Sequence, residues 1–210
     1  MAKIKLTKNE LKKQKDALKM FTRYLPTLIL KKQQLQMEIR KVLEREAQLR
    51  RERAALEEDF RRWIGVFGED VGLDENLLVL EEVKTSDGNI AGVRIPVFSG
   101  ASFGAVSYDL WDMPLWVDKA VKEMQRVVLL DLELGVMQEQ RRLLAQELQT
   151  TTQRVNLFEK VKIPETKTNI KKISIYLGDQ QTAAVVRGKI SKRGLEKKQN
   201  QDNAAERVAS

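Results

Sequence analysis

The sequence predicts an all-α protein: a long antiparallel two-helix coiled coil, left-handed, with a small insert carrying a β-hairpin at its foot. Three observations predict it. Charged residues make up 32% of the 210-residue chain and aromatics only 6%, a composition suited to long amphipathic helices rather than a thick globular core. Residues 10–64 contain no glycine and one proline, Pro26, whereas seven of the eleven glycines (Gly65, Gly68, Gly72, Gly88, Gly92, Gly100 and Gly104) fall between 65 and 104. On both sides of that glycine-rich stretch, apolar residues recur with a seven-residue period. The expected division is a coiled-coil helix over 1–64, an insert over 65–114, a second coiled-coil helix over 115–200, and a flexible tail over 201–210.

The first helix is read by placing heptad position a at residue 11 and position d at residue 14. The a positions are Leu11, Leu18, Leu25, Lys32, Ile39, Glu46, Arg53 and Phe60; the d positions are Gln14, Phe21, Leu28, Leu35, Val42, Leu49, Leu56 and Trp63. Twelve of these sixteen are apolar, in a segment otherwise dominated by Lys, Arg, Glu and Gln. A strict seven-residue repeat held this long is a coiled-coil seam and imposes a left-handed supercoil, where a lone surface helix would show a wider stripe.

The insert reads as a hairpin. Leu77 to Lys84 and Ile90 to Phe98 have strand composition, and between them lies Thr85-Ser86-Asp87-Gly88-Asn89, with Asp-Gly as the turn signal. The expected strands are 77–84 and 90–98. A lone hairpin is marginal in water, so it needs backing. Phe60, Trp63, Phe67, Trp111 and Trp116 flank the insert and are expected to form a hydrophobic foot rather than a ligand pocket.

The second helix carries a at Ala120, Val127, Leu134, Arg141, Leu148, Val155 and Lys162, and d at Glu123, Leu130, Met137, Leu144, Thr151 and Phe158. Nine of the thirteen are apolar. Pro164 interrupts the hydrogen-bond ladder, and helical periodicity resumes with Ile170, Ile173, Leu177 and Ala184. Pro26 and Pro164 therefore predict bends rather than ends. A helix over 10–64 would be about 80 Å long and one over 115–198 about 125 Å. The longer helix is expected to overhang its partner, or to pack its first turns on the insert.

Four charged residues fall on seam positions: Lys32, Glu46, Arg53 and Arg141. Ordinarily such long side chains extend out of a two-stranded seam; the sharper alternative is that they fix register or meet another protein.

Catalytic signatures are missing. With no cysteine and no histidine, the chain has no disulfide or thiolate chemistry, no usual zinc site and no histidine acid-base group. The nearest approach to a phosphate-binding loop is Ala183 to Ile190, with Gly188-Lys189 in place but Ala183 for the first glycine and Ile190 for the hydroxyl. Gly100 and Gly104 have the wrong spacing for a dinucleotide fingerprint, and the acidic pairs Glu57-Glu58 and Glu81-Glu82 read as solvated. The expectation is a non-enzyme without a cofactor. The longest uninterrupted apolar runs, such as Val127 to Leu130, are four residues long, and the N-terminal stretch has lysines but no apolar core of a secretory signal, so the expectation is a cytosolic chain.

The net charge of +8 is unevenly placed. Residues 1–15 carry Lys3, Lys5, Lys8, Lys12, Lys13 and Lys15 against Glu10, and residues 187–198 carry Arg187, Lys189, Lys192, Arg193, Lys197 and Lys198 against Glu196, leaving the rest of the chain at −2. Antiparallel pairing brings both clusters toward one end, predicting a basic tip for an acidic or polar partner. Nucleic acid would be one such partner, but no interleaved aromatics, RNA motif or helix-turn-helix accompany the lysines, so no nucleic acid is expected.

Arg154-Val155-Asn156-Leu157-Phe158-Glu159 followed by Ile163-Pro164 resembles the Arg-Val-Asn-Ala-Leu-Glu and Ile-Pro run of the D subunit of V-type and A-type rotary ATPases. Leu6-Thr7-Lys8-Asn9-Glu10-Leu11 and Leu28-Ile29-Leu30-Lys31-Lys32 are similar to that family's opening and its first helix, and the order of elements matches throughout. The resemblance implies a non-catalytic central-stalk rotor of a proton- or sodium-translocating complex, peripheral to the membrane. It implies partners in the catalytic A and B subunits, the small F subunit, and the funnel-shaped subunit above the membrane ring. On that reading Lys3, Lys5, Arg187, Lys189, Lys192 and Arg193 face the head ring, and the hairpin region Thr85, Asp87, Gly88, Asn89 and Arg94 is a further contact, for the F subunit. A non-rotary coiled-coil scaffold and a nucleic-acid-binding helical arm are the alternatives.

Overall fold

The computed structural model describes residues 4–63, 65, 78–104, 114 and 116–209; of Trp63 and residues 199–209 it describes the backbone. The elements in order are α1 (Lys8–Trp63), β1 (Leu80–Ile90), β2 (Val93–Phe103), α2 (Trp116–Asn156), a π-helical segment (Leu157–Lys162) and α3 (Ile163–Ala209). The expected aromatics Phe67 and Trp111, the side chain of Trp63 and the expected strand start at Leu77 lie outside the described residues. The chain divides into two compact units: one of residues 28–153, the other of residues 1–27 with 154–210.

Helix α1 begins where its sequence provides a cap. Thr7 Oγ1 accepts the backbone N–H of Glu10 at 3.2 Å, the Thr-x-x-Glu arrangement that satisfies an otherwise orphaned helix donor. Once started, the helix runs through Pro26, as the uninterrupted seam predicts.

In the unit of residues 28–153 the two helical stretches run antiparallel. As the α1 partner advances from Lys31 to Arg45 to Arg53, the α2 partner retreats from Glu147 to Glu133 to Asp131, at 2.6, 2.9 and 2.5 Å. Between these pairs lies the seam. Leu35, Leu49 and Leu144 are wholly buried and Val42, Leu130 and Leu134 nearly so; each such leucine contributes roughly 2 kcal/mol of apolar burial. Of the sixteen seam positions assigned in α1, the fifteen with described side chains are all buried or half-buried.

The hairpin completes this unit. β1 and β2 pair antiparallel from Leu80↔Phe103 to Ile90↔Val93, with irregularities at Leu80/Glu82 and Lys84/Thr85. Its turn is Ala91-Gly92, both with positive φ (53° and 80°), and Asn89 Oδ1 accepts the Gly92 N–H at 3.0 Å. The Asp-Gly turn expected at 87–88 is therefore corrected: Asp87 and Gly88 lie inside β1, opposite Pro96 and Ile95. Gly88 serves a different need, because a Cβ there would stand 2.7 Å from Val97 Cγ2.

Among the described residues the hairpin is backed by aliphatic side chains. Ile95 is buried with Leu35, Val42 and Leu144, and Ile90, Ala91, Val93, Ile39, Met137, Leu143 and Leu148 pack around them. The inner end of the hairpin thus rests on the middle of the helix pair. Buried Gln140 donates Nε2–H to the Pro96 carbonyl at 2.6 Å, which satisfies a polar group that would otherwise be costly inside. Nearer the hairpin base, Phe60 and Leu78 line an open apolar cleft of about 500 Å³ with Met124, Val127 and Val128.

The second unit, residues 1–27 with 154–210, is also an antiparallel pair. Phe21 and Phe158, both seam d positions, meet with ring centroids 5.1 Å apart. Among the described residues of its C-terminal stretch, Val155, Thr166, Asn169 and Ile173 are buried. The segment before Pro164 is π-helical, and the Ile163 N–H donates to the Phe158 carbonyl, one residue further back than in an α-helix. The physical reason is Pro164: it has no N–H, and its ring would crowd the carbonyl four residues earlier unless the turn widened. The wider turn absorbs one extra residue, so the seam after Lys162 continues at Thr166, Ile170, Ile173 and Leu177, each one residue later than an unbroken heptad would place it; buried Asn169 stands beside that seam.

Candidate interaction surfaces

The charged seam residues do not all extend into solvent. Glu46 is 3% exposed. Its carboxylate is held by Arg50, one turn on, and by Arg141 from the facing helix, whose Nε lies 3.5 Å from Oε2. Two charges at a positions thus face each other, the arrangement that fixes register. Arg53 also pairs across the seam: its Nε donates to Asp131 at 2.5 Å and its Nη1 to Glu57 at 3.2 Å. The Asp131 hydrogen bond holds the Arg53 guanidinium above its ordinary pKa, and the Asp131 charge adds to it. Lys32 is half-buried.

The basic clusters lie on the unit of residues 1–27 with 154–210. Lys3 lies outside the described residues. Lys5 precedes α1 and is exposed, and Arg187, Lys189, Lys192 and Arg193 are exposed on α3, with Lys192 loosely paired to Glu196 at 3.9 Å. The clusters share this unit as antiparallel pairing requires, yet they are staggered rather than side by side. Lys8 lies about 20 Å along its helix from the Phe21–Phe158 contact and Lys189 about 46 Å, at 1.5 Å per residue. The reason is the overhang: among the described side chains of α3 the last half-buried one is Leu177, and every residue from 178 to 198 is exposed. Ala184, expected to continue the helical periodicity, is among the exposed ones.

Of the hairpin residues expected to contact a partner, Thr85, Asp87, Asn89 and Arg94 are exposed, whereas Gly88 is half-buried. The strand alternation explains the split, since Gly88 and Ile95 face each other across the sheet. The hairpin is anchored by Ile90, Ala91, Val93 and Ile95, so the residues that hold it and those it displays are interleaved. Sequence reasoning missed the Gln140–Pro96 hydrogen bond and the Glu46–Arg141 contact. For the second, the signal was present as opposite charges at a positions of the two helices.

Among the described residues no helix is long and apolar enough to cross a membrane.

Comparison with known proteins gives one answer throughout. The family model for the D subunit of ATP synthase matches residues 10–193. The chain is 54% identical over 198 residues to the V-type ATP synthase D subunit of Borreliella burgdorferi, covering 94% of this chain and 98% of that protein. It is 35% identical over 210 residues to the protein of the same name from Chlamydia abortus, covering 97% and 99%. For the one from Chlamydia muridarum the figures are 34% over 201 residues, covering 93% and 97%.

Proposed function

The chain belongs to the D-subunit family of ATP synthases, and from that premise we propose that it is the central-stalk rotor of its complex, carrying torque between the nucleotide-processing head and the membrane ring. The observation that carries this reading is the uncovered stretch of α3, residues 178–198, continuous with a seam-paired stretch and bearing Arg187, Lys189, Lys192 and Arg193. An exposed helix stretch with a dense positive charge suits insertion into a ring of other subunits.

The proposed partners are the A and B subunits around that helix end, the F subunit, and the funnel-shaped subunit above the membrane ring. The exposed Thr85, Asp87, Asn89 and Arg94 of the hairpin are proposed as a further contact, for the F subunit. Cross-seam ion pairs and a buried seam support torsional stiffness, which a torque carrier requires. ATP chemistry falls to the neighbouring subunits, and the chain is peripheral to the membrane on the cytoplasmic side.

The test is to replace Arg187, Lys189, Lys192 and Arg193 together by Gln. The variant should keep its helicity and melting transition, because these side chains bury nothing, while assembly with the head or coupling of ATP turnover to ion movement falls. Unchanged coupled activity in the reconstituted complex would remove the reading.

A further inference from the structure

Around the Phe21–Phe158 contact the unit of residues 1–27 with 154–210 has two unlike flanks. In the heptad frame that places Phe21 and Phe158 at d, positions c and g lie on one side of a seam and b and e on the other. In an antiparallel pair g faces g. The Lys31–Glu147 and Arg45–Glu133 ion pairs, all four at g, show the same frame operating in the other unit.

On the c/g flank stand Met20 and Tyr24 from α1 and Leu157 and Val161 from the π-helical segment, 47%, 53%, 43% and 48% exposed. The opposite flank at this level is polar, with Thr22, Asn156 and Glu159. Four large apolar side chains gathered on one flank, while the other holds none of that size but Pro26, form a patch rather than scattered surface residues.

The patch has a charged frame. Lys13, Arg23, Arg154 and Lys160 border it on the c, f and g positions, against one acid, Asp16. Among the described residues none of these four cations makes an ion pair within the chain. Met, Tyr and Arg are also the residue types enriched at interface centres. Leu157 and Val161 both lie in the π-helical segment, none of whose residues is buried.

We propose that this flank is a docking surface for an acidic amphipathic helix of another subunit of the complex, its apolar stripe laid over Met20, Tyr24, Leu157 and Val161 and its carboxylates reaching Arg154, Lys160, Arg23 and Lys13. The mode is helix-in-groove recognition with charge complementarity at the rim. The proposal rests on the chain's working inside the ATPase assembly and extends that reading from the helix end to one side of the paired region.

The experiment uses the full chain in the reconstituted complex. A photo-reactive p-benzoylphenylalanine replaces Leu157 in one preparation and Asn156, on the opposite flank, in another, and the cross-linked peptides are identified by mass spectrometry. The expected result is a cross-link from position 157 to a helical peptide of another subunit with acidic residues bordering an i, i+3, i+4 apolar stripe, and a much lower yield from position 156. In parallel, Leu157→Ser with Val161→Ser should speed loss of the chain from the complex about tenfold, with helicity retained by circular dichroism, and Thr22→Ser with Asn156→Ser should leave it unchanged. Equal yields from both positions, a basic or non-helical partner peptide, a second copy of this chain, or an unchanged loss rate for the serine pair each overturns the proposal. Failure of these measurements in a complex that assembles and couples normally leaves the rotor reading standing. Failure of the chain to join head subunits removes both.

Discussion

Arg141 reaches across the seam to a carboxylate that is almost entirely withdrawn from water: its Nε lies 3.5 Å from Glu46 Oε2, and Glu46 is 3% exposed while Arg141 is largely open to solvent. One member of the pair has lost its hydration and the other has kept much of it, so the interaction behaves neither as a surface salt bridge nor as a buried pair.

The first prediction follows from that asymmetry. Glu46→Gln should destabilise the chain by about 1–2 kcal/mol, below the 3–5 expected when a fully buried pair is broken, because the orphaned arginines can turn to water. Glu46→Leu with Arg141→Leu should recover most of the loss by filling the seam with apolar knobs. Urea unfolding followed by circular dichroism checks both, and a double variant less stable than Glu46→Gln would contradict the account.

The second prediction concerns the extra residue held in the π-helical segment. Deleting Val161 should convert the wide turn to an ordinary one and return the downstream seam to its original phase, costing no more than about 1 kcal/mol apart from crowding at Pro164. Deleting exposed Gln146 rotates all following residues by about 100° relative to the seam and should cost several kcal/mol. Melting transitions of the two deletions separate the cases.

The third concerns the hairpin. Ile95→Ala removes the strand residue buried with Leu35, Val42 and Leu144 and should cost about 2–4 kcal/mol. Gly88→Ala forces a Cβ into Val97 and should cost about 1–2 kcal/mol. Asp87→Ala, on the exposed face, should stay within about 0.5 kcal/mol. Denaturant midpoints rank the three.

The fourth concerns the overhang. Ending the chain after Gly178 removes no buried side chain among the described residues, so the melting midpoint of the isolated subunit should hardly move while assembly is lost. A large drop in the midpoint would show that the removed segment stabilises the rest.

The fifth is a titration. Arg142 Nε and Nη2 donate to Glu139 at 2.8 and 2.7 Å, and those hydrogen bonds hold the Glu139 carboxyl below its ordinary value. A depressed folded-state pKa stabilises the fold at pH above the ordinary carboxylate range, and that contribution is lost as pH falls through the depressed value. Arg142→Gln should return the carboxyl toward its ordinary value, read by NMR titration, with little change in melting because both groups are solvated.

The sequence carried the seam well, because a seven-residue repeat is a global pattern that single residues cannot disguise: Leu35, Val42, Leu49 and Leu144 were assigned to it from spacing alone and are buried. Local signals fared worse. Asp87-Gly88 satisfies the statistics of a turn, yet the chain turns at Ala91-Gly92, since only that register carries Ile95 and Val93 to the helix pair. At Pro164 the interruption was legible, and the resumed period at Ile170, Ile173 and Leu177 already stands one residue out of the upstream frame; the widened turn that produces the offset was not, because polar Thr166 gives the first shifted position no apolar mark. Among the proposed interaction surfaces, the basic stretch of α3 was legible from charge density. The flank of Met20, Tyr24, Leu157 and Val161 was not, because outward-facing apolar residues are recognisable only once the inward set is known.

The uncovered end of α3 has a thermodynamic consequence. A helix of about twenty residues with no packed face is close to its coil in free energy, and sequences rich in Gly, Thr and Asn lie further toward the coil. Gly178, Thr182, Gly188 and Gly194 interrupt this stretch. Its amides should therefore exchange with solvent orders of magnitude faster in the free subunit than those beside Ile173, with the gradient beginning near Leu177. Enclosure by other subunits would slow that exchange and lower the heat capacity on association beyond what rigid docking explains. On the proposed reading, assembly of the complex would in part complete this chain's own folding.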